Sequence, residues 1–331
     1  MPYLFVATQL HPYYMKLAPH AILPEVYPFA HDNPCHDGVS ESINFTEVAA
    51  ETTDMTEVNH TDHRYRHLWM SSNNIIGTLP PELWLITSLK TLFLNKNELL
   101  TGPFPNVPTL MSKMTDLGGL YIALNDITGS LPTEIGLFSS SMEVIWASQN
   151  RWSGRLPTEL GLLTDLSFLA VNDNRDVVTG ELPSELGLLS SSLELLVLTG
   201  NTLTSTIPES IGSLTNLKCL LLNNNELTGS VAPEIWNLAQ EAPLNWFKLA
   251  DNPSLRGTIP TEWDLHAANL TQVELQNTNI VGTIPSSFCE EDALSEMLVV
   301  DCYDGAECSC GCACPEEPNM MGQSSTNSSG T

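Results

Sequence analysis

The stretch LLLNNNELTGSVAPEIW, residues 220–236, carries a phrase in three parts. Leu220 and Leu222 alternate as a short strand with one face buried would. Asn225 follows where that strand must turn inward, and Gly229 permits a sharp turn. Pro233 and Glu234 then favour a short helical turn.

Outward from this stretch the phrase recurs. It reads LWMSSNNIIGTLPPEL at 68–83, IALNDITGSLPTEIG at 122–136 and IWASQNRWSGRLPTELG at 145–161. It returns as LVLTGNTLTSTIPESIG at 196–212 and VELQNTNIVGTIPSSF at 273–288. The glycine slot is filled by Gly77, Gly102, Gly129, Gly154, Gly180, Gly229, Gly257 and Gly282, with Ser205 in the one remaining place. The steps run from 24 to 28 residues, which gives about nine repeats. LPTEIGLFSSS at 131–141 comes back as LPSELGLLSSS at 182–192, the mark of a duplicated two-repeat unit.

A buried turn strands backbone N–H and C=O groups, each costly when unpaired. An amide side chain both donates and accepts. A stack of Asn73, Asn97, Asn125, Asn150, Asn174, Asn201, Asn225 and Asn252 is therefore expected to tie each coil to its neighbour, with Thr278 ending the ladder. No single coil can bury its own leucine face, whereas a stack of coils makes a continuous core.

The recurring wording resembles the plant-specific class of leucine-rich repeats, found in receptor ectodomains and in cell-wall polygalacturonase inhibitors. The tail FCEEDALSEMLVVDCYDGAECSCGCAC, residues 288–314, further resembles the ends of leucine-rich-repeat proteins of diatoms and related algae. The resemblance implies an α/β fold, a right-handed solenoid of about nine coils. Its concave side would carry a parallel β-sheet and its convex side short helical turns. It also implies binding rather than catalysis, with a co-receptor as a further partner. Two departures stand out. NPCHDGVSES, residues 33–42, supplies Cys35 but neither the tryptophan nor the second cysteine of the usual N-terminal cap, and no kinase domain follows.

The expected organisation is an irregular N-terminal region at 1–65, the solenoid at 66–288, a Cys-rich cap at 289–316 and a disordered tail at 317–331. Of 331 residues, 39 are acidic and 12 basic, for a formal net charge of −27. Such a surface repels phosphate backbones and anionic headgroups, so nucleic acid and peripheral membrane are not expected partners. No apolar run is long enough for a transmembrane helix. The first thirty residues are broken by Pro, His and Tyr and lack the pattern of a signal peptide.

Placing the repeats in register puts one outward residue of each strand on a concave track. The track reads Trp69, Phe93, Tyr121, Trp146, Ala170, Val197, Leu221, Lys248, Glu274. Its four aromatic rungs should stand about 4.8 Å apart, a ladder for a peptide side chain or a sugar face. Polar neighbours on the same face are Ser71, Asn95, Lys96, Ser148, Gln149, Asn172, Asp173, Asn223 and Asn224. Of these, Lys96, Gln149 and Asp173 join the aromatics as ligand-binding candidates.

Other constellations carry less. HTDHRYRH, residues 60–67, spaces His60, His63 and His67 like metal ligands but sits in loop-like surroundings. NDNRD, residues 172–176, has the oxygen density of a calcium loop without its spacing. No nucleophile elbow, zinc-protease helix, phosphate loop or dinucleotide fingerprint is present, so neither an enzyme nor a cofactor or metal is expected. Asn44, Asn59, Asn269 and Asn327 head glycosylation triplets, which matter only on the secretory route.

Six of the eight cysteines, Cys289, Cys302, Cys308, Cys310, Cys312 and Cys314, fall where the array must close. An even cluster there reads as a disulfide-stapled cap and so as the sign of an oxidising compartment. A soft-metal thiolate cluster is the alternative. Cys219 lies outward on a strand and is expected to be a free thiol. The leading reading is a non-catalytic extracellular or cell-surface solenoid that recognises a protein, peptide or glycan, any membrane anchor lying outside this sequence. A structural or adhesive wall or matrix protein is the rival, and an intracellular scaffold a third.

Overall fold

The computed structural model describes residues 66–174, 178–261, 270 and 272–282, together with the backbone of 297–299. The six tail cysteines, Cys35, His60, His63 and the glycosylation candidates Asn44, Asn59, Asn269 and Asn327 all lie outside the described residues.

Ten parallel strands, each three residues long, stack in chain order into one sheet. They are His67–Trp69, Thr91–Phe93, Gly119–Tyr121, Val144–Trp146, Phe168–Ala170, Leu195–Val197, Cys219–Leu221, Trp246–Lys248, Gln272–Glu274 and Met297–Val299. Side chains alternate along a strand, so the middle residue points in and its two neighbours point out. Leu92, Leu120, Ile145, Leu169, Leu196, Leu220 and Val273 are fully buried at that middle place. The next inward residue, two positions on, is Leu94, Ile122, Ala147, Val171, Leu198, Leu222 or Leu249, and each is fully buried too. Each buried aliphatic side chain contributes about 1.5–3 kcal/mol, and one core runs unbroken from Met70 to Leu275. The tenth strand exceeds the nine coils counted from the repeats. Met297–Val299 pairs with Gln272–Glu274 from within the segment assigned to the cap.

Asparagine side chains bond from coil to coil along the inner turn. Asn97 Oδ1 accepts from the Asn73 and Ile75 amides at 2.9 and 3.1 Å. Its Nδ2 donates to the Met70 and Leu94 carbonyls at 2.9 and 2.8 Å. One side chain thus serves the turns of two coils. Asn125, Asn150, Asn201, Asn225 and Asn252 repeat the donation to the preceding coil. At the end, Thr278 donates to its own coil's Leu275 carbonyl at 2.6 Å.

A second periodic feature precedes the ladder. Ser72, Lys96, Leu124, Gln149, Asp173, Asn224, Asp251 and Asn277 are all left-handed, with φ between 54° and 60°, and Gly200 matches them at 68°. The chain reverses inward at this point, which brings the next residue's amide into the core. Leu124 occupies the position at the greatest steric cost. Ser205, in the glycine slot, is likewise left-handed at φ 70°.

After each ladder turn a strand of two to seven residues adds to a second layer, which falls into three runs. Gly77–Thr78, Asn97–Pro103, Asn125–Gly129 and Arg151–Trp152 form the first, and Thr179–Glu181 with Thr202–Thr204 the second. Thr228–Ser230, Ser254–Thr258 and Asn279–Val281 form the third. The gap before the third follows Ser205.

Among the described residues, the convex side is made of 3-10 turns at Pro81–Leu85, Thr133–Ser141, Thr158–Leu162, Ser184–Leu189 and Glu209–Ser213, and two α-helices, Pro108–Met111 and Pro233–Glu241. A proline stands at or beside each N-terminus and, Pro108–Met111 apart, a glutamate in each first turn, from Glu82 to Glu234. Gly136, Gly161, Gly187 and Gly212 let these turns touch. A Cβ at Gly187 would meet the Ser210 carbonyl at 2.5 Å.

Candidate ligand-binding face

The pairing register carries the concave track from rung to rung. Trp69 pairs with Phe93, Phe93 with Tyr121, Tyr121 with Trp146 and Trp146 with Ala170. Val197, Leu221, Lys248 and Glu274 follow in line.

The aromatic rungs are unevenly spaced. Trp69 and Phe93 stack at 3.8 Å and 15°, and Phe93 and Tyr121 at 4.5 Å and 22°. Tyr121 then meets Trp146 edge-on at 6.4 Å and 74°, and Trp146 meets Phe168 at 6.4 Å and 90°. Gly119 accounts for the change. A Cβ there would lie 2.8 Å from Tyr121 Cε2, so the missing side chain lets the phenol lean down over its own strand. Burial, and then the Glu143 carboxylate, push the Tyr121 phenol above its ordinary pKa. Trp69, 58% exposed, presents the most open ring.

The track is one of two outward rows. The other, two residues earlier on each strand, reads His67, Thr91, Gly119, Val144, Phe168, Leu195, Cys219, Trp246, Gln272. Attention to a single residue per strand overlooked it, although the same register contains it. Together the rows make a floor of Ala170, Val197, Cys219 and Leu221, packed by Trp146, Phe168, Leu195 and Trp246. These floor residues point outward, yet no more than 7% of any is exposed, because each fills its neighbours' gaps. Cys219 is free and outward, as expected, but buried. Burial pushes its thiol up to about 11 against the lowering pull of Lys218 and Lys248, which leaves it protonated and unreactive at neutral pH.

Charge enters at the far end of the floor. Lys248 Nζ lies 2.7 Å from Glu274 Oε1 and 5.2 Å from the centre of the Trp246 ring. Lys218 and Glu194 pair at 2.6 Å along the sheet margin.

The polar candidates divide into two groups. Asn95 Oδ1 accepts from the Ala123 amide at 2.9 Å, and the Ser148 hydroxyl donates to Asn172 Oδ1. Thr199 donates to Asn223 Oδ1 at 2.9 Å. These groups tie one coil to the next. Lys96, Gln149, Asp173 and Asn224 remain exposed at the left-handed turns. Asp173 Oδ2 accepts from Asn172 Nδ2 at 2.6 Å, while Asn174 belongs to the ladder. Of the histidine group, His67 alone is described. It lies 3.1 Å from the Thr91 hydroxyl, and burial, then Lys90 and Arg66, hold its pKa below the ordinary value.

The fold is a leucine-rich-repeat solenoid, similar to the ectodomains of plant receptors. The family model "Leucine Rich Repeat" matches residues 66–85, 192–214 and 216–238. Among curated proteins, the chain is similar to receptor-like protein 39 of Arabidopsis thaliana, 32% identical over 173 residues, or 51% of this chain and 19% of that protein. It is also similar to receptor-like protein 35 of the same plant, 31% identical over 239 residues, or 64% and 24%. The matches thus span about a fifth to a quarter of those relatives' lengths. Among solved structures, a TDR receptor superposes with a TM-score of 0.59 at 27% identity, covering 71% of this chain and 42% of that one. The Arabidopsis receptor kinase HAESA, solved with the peptide hormone IDA and the co-receptor SERK1, gives 0.59 at 28% identity, covering 73% and 42%. Among the described residues, no helix is long and apolar enough to cross a membrane.

Proposed function

We propose that this chain is a non-catalytic, receptor-like binding module that takes an extended peptide across its concave face, at the cell surface or outside the cell. The observation that carries this reading is the outward set of open and half-buried rings, Trp69, Phe93, Tyr121, Trp146, Phe168 and Trp246, in a chain of net charge −27. A protein so acidic has no shortage of polar residues with which to cover a sheet, and large apolar surfaces mark sites of interaction. Outward side chains at a strand's spacing offer pockets to alternate residues of an extended ligand. Exposed Lys96, Gln149 and Asp173 at the margin supply hydrogen bonds. The likeness to an ectodomain solved with a peptide hormone and a co-receptor supports a peptide over a glycan, and supports a co-receptor as second partner.

The rings themselves provide the test. Peptides selected against the full chain from a random library should carry apolar or aromatic side chains. On binding they should shift tryptophan emission to shorter wavelength as Trp69 and Trp146 lose water. Selected peptides that bind without changing the emission would count against the concave face.

A further inference from the structure

Three of the six large hydrophobic side chains exposed among the described residues share one row on the convex side. Leu137, Leu162 and Leu188 are 40%, 55% and 65% exposed. They lie in the 3-10 turns Thr133–Ser141, Thr158–Leu162 and Ser184–Leu189. Residues three apart eclipse in a 3-10 helix, so each leucine lines up with the glutamate three places before it: Glu134, Glu159 or Glu185. The turns are immediate neighbours, since a Cβ on Gly136 would meet Glu159 Cβ at 2.8 Å and one on Gly161 would collide with the Glu185 backbone. Two parallel rows result, one of leucines and one of glutamates. These glutamates accept from Thr133, Thr158 and Ser184 hydroxyls at 3.1, 3.3 and 3.3 Å. None forms an ion pair with a described basic side chain. In the next coil Ser210 and Ser213 take the two places, so the patch is bounded there.

We propose that this double row is a docking surface for a basic amphipathic α-helix of a partner protein. Paired strands on the concave side stand about 4.8 Å apart, and the convex turns of a curved solenoid stand somewhat wider, toward the roughly 5.4 Å that an α-helix advances per turn. One leucine and one glutamate therefore meet one helical turn. Apolar residues at every third or fourth position cover the leucines, and lysines or arginines beside them pair with the glutamates. A second copy of the chain fits poorly, because it brings two acidic rows together in a protein of net charge −27. This surface is on the opposite side of the coils from the concave track and does not depend on it.

The probe is a labelled fourteen-residue peptide of leucine and lysine in amphipathic order, titrated into the full chain by fluorescence anisotropy, with a scrambled peptide as control. L162S/L188S should weaken binding at least tenfold without moving the thermal midpoint, since both side chains are more than half exposed. E159Q/E185Q should weaken it severalfold and flatten its salt dependence. Neutralising the exposed Glu98, Glu181 and Glu226 elsewhere should leave it unchanged. Equal losses from the two glutamate sets, or equal binding of the scrambled peptide, would reduce the effect to bulk charge and overturn the proposal. Self-association by sedimentation that L162S/L188S abolishes would overturn it in favour of a second copy.

Discussion

Gly119 lies directly beneath the ring of Tyr121: a Cβ built on it would stand 2.8 Å from Tyr121 Cε2 and 2.9 Å from Thr91 Cγ2. The absence of one methyl group thus sets where the stacked half of the aromatic row ends. Gly119→Ala should lift the phenol toward Trp146 and cost about 1–3 kcal/mol through overpacking. Near-ultraviolet circular dichroism and urea denaturation report the two effects. An unchanged aromatic spectrum would show that Tyr121 does not rest on Gly119.

The ladder makes a graded prediction. Asn150 is fully buried, donates to Ile122, Ala147 and Ser148 carbonyls at 2.9, 3.2 and 3.1 Å, and accepts from the Ile127 amide at 3.1 Å. Asn150→Ala leaves several of these groups unpaired and should cost about 3 kcal/mol or more. Asn73 is only half buried and its Nδ2 stays within its own coil, bonded to Ser71, so Asn73→Ala should cost about 1 kcal/mol. Denaturant midpoints of the two variants give the comparison, and equal losses would contradict it.

Ser205 and Gly229 occupy the same slot in consecutive coils, at φ 70° and 74°. Ser205→Gly relieves a left-handed serine and should stabilise the chain by about 0.5–1 kcal/mol. Gly229→Ser should do the reverse and more, because a Cβ there would lie 2.5 Å from Thr206 Cγ2. Thermal melts of both variants check the opposite signs.

Cys219 introduces a pH dependence. Its thiol titrates at about 11 in the folded chain against a reference of 9.0, so folding favours the protonated form. That contribution is fully present below pH 9 and disappears as pH rises through 11. It amounts to something on the order of 2 kcal/mol. Subtracting the stability-versus-pH curve of Cys219→Ala from that of the parent isolates it. A flat difference between pH 8 and 11 would refute it.

The tail is a separate matter. If the six cysteines from Cys289 to Cys314 form a stapled cap, alkylation of the unfolded chain without reductant should leave them all unlabelled, and intact mass should show two labels, one each for Cys35 and Cys219. Six further labels would favour the soft-metal alternative or an intracellular scaffold.

The repeating parts of this molecule were legible in its sequence for a simple reason. Leu220, Asn225 and Gly229 each answer a local demand that recurs in every coil, so the pattern announces itself. The concave track followed by counting, because parallel pairing kept Trp69 through Glu274 in line. Features set by contact between coils stayed hidden. The left-handed turn is filled by Ser, Lys, Leu, Gln, Asp, Gly or Asn, so composition carries no signal for it. The burial of outward Cys219 depends on Leu195, Leu221 and Trp246 filling in around it, which a one-dimensional reading does not weigh. The strand at Met297–Val299 lacks the repeat phrase and was assigned by its neighbouring cysteines instead. Ser148, Asn172 and Asn223 looked available for a ligand because their partners lie about one repeat away, at Asn172, Ser148 and Thr199.

The central claim is that the concave aromatic rungs hold the ligand, and affinity of a selected peptide for Trp69→Ala/Trp146→Ala tests it most directly. Trp69 is 58% exposed, whereas Trp146 packs against the apolar floor, so the double variant should stay folded with a moderately lower midpoint than the parent. The account predicts saturable, salt-insensitive binding in the parent and at least a tenfold loss in the variant. Undiminished affinity, or weak calcium-dependent association that no concave substitution disturbs, would contradict it and favour an adhesive wall or matrix protein.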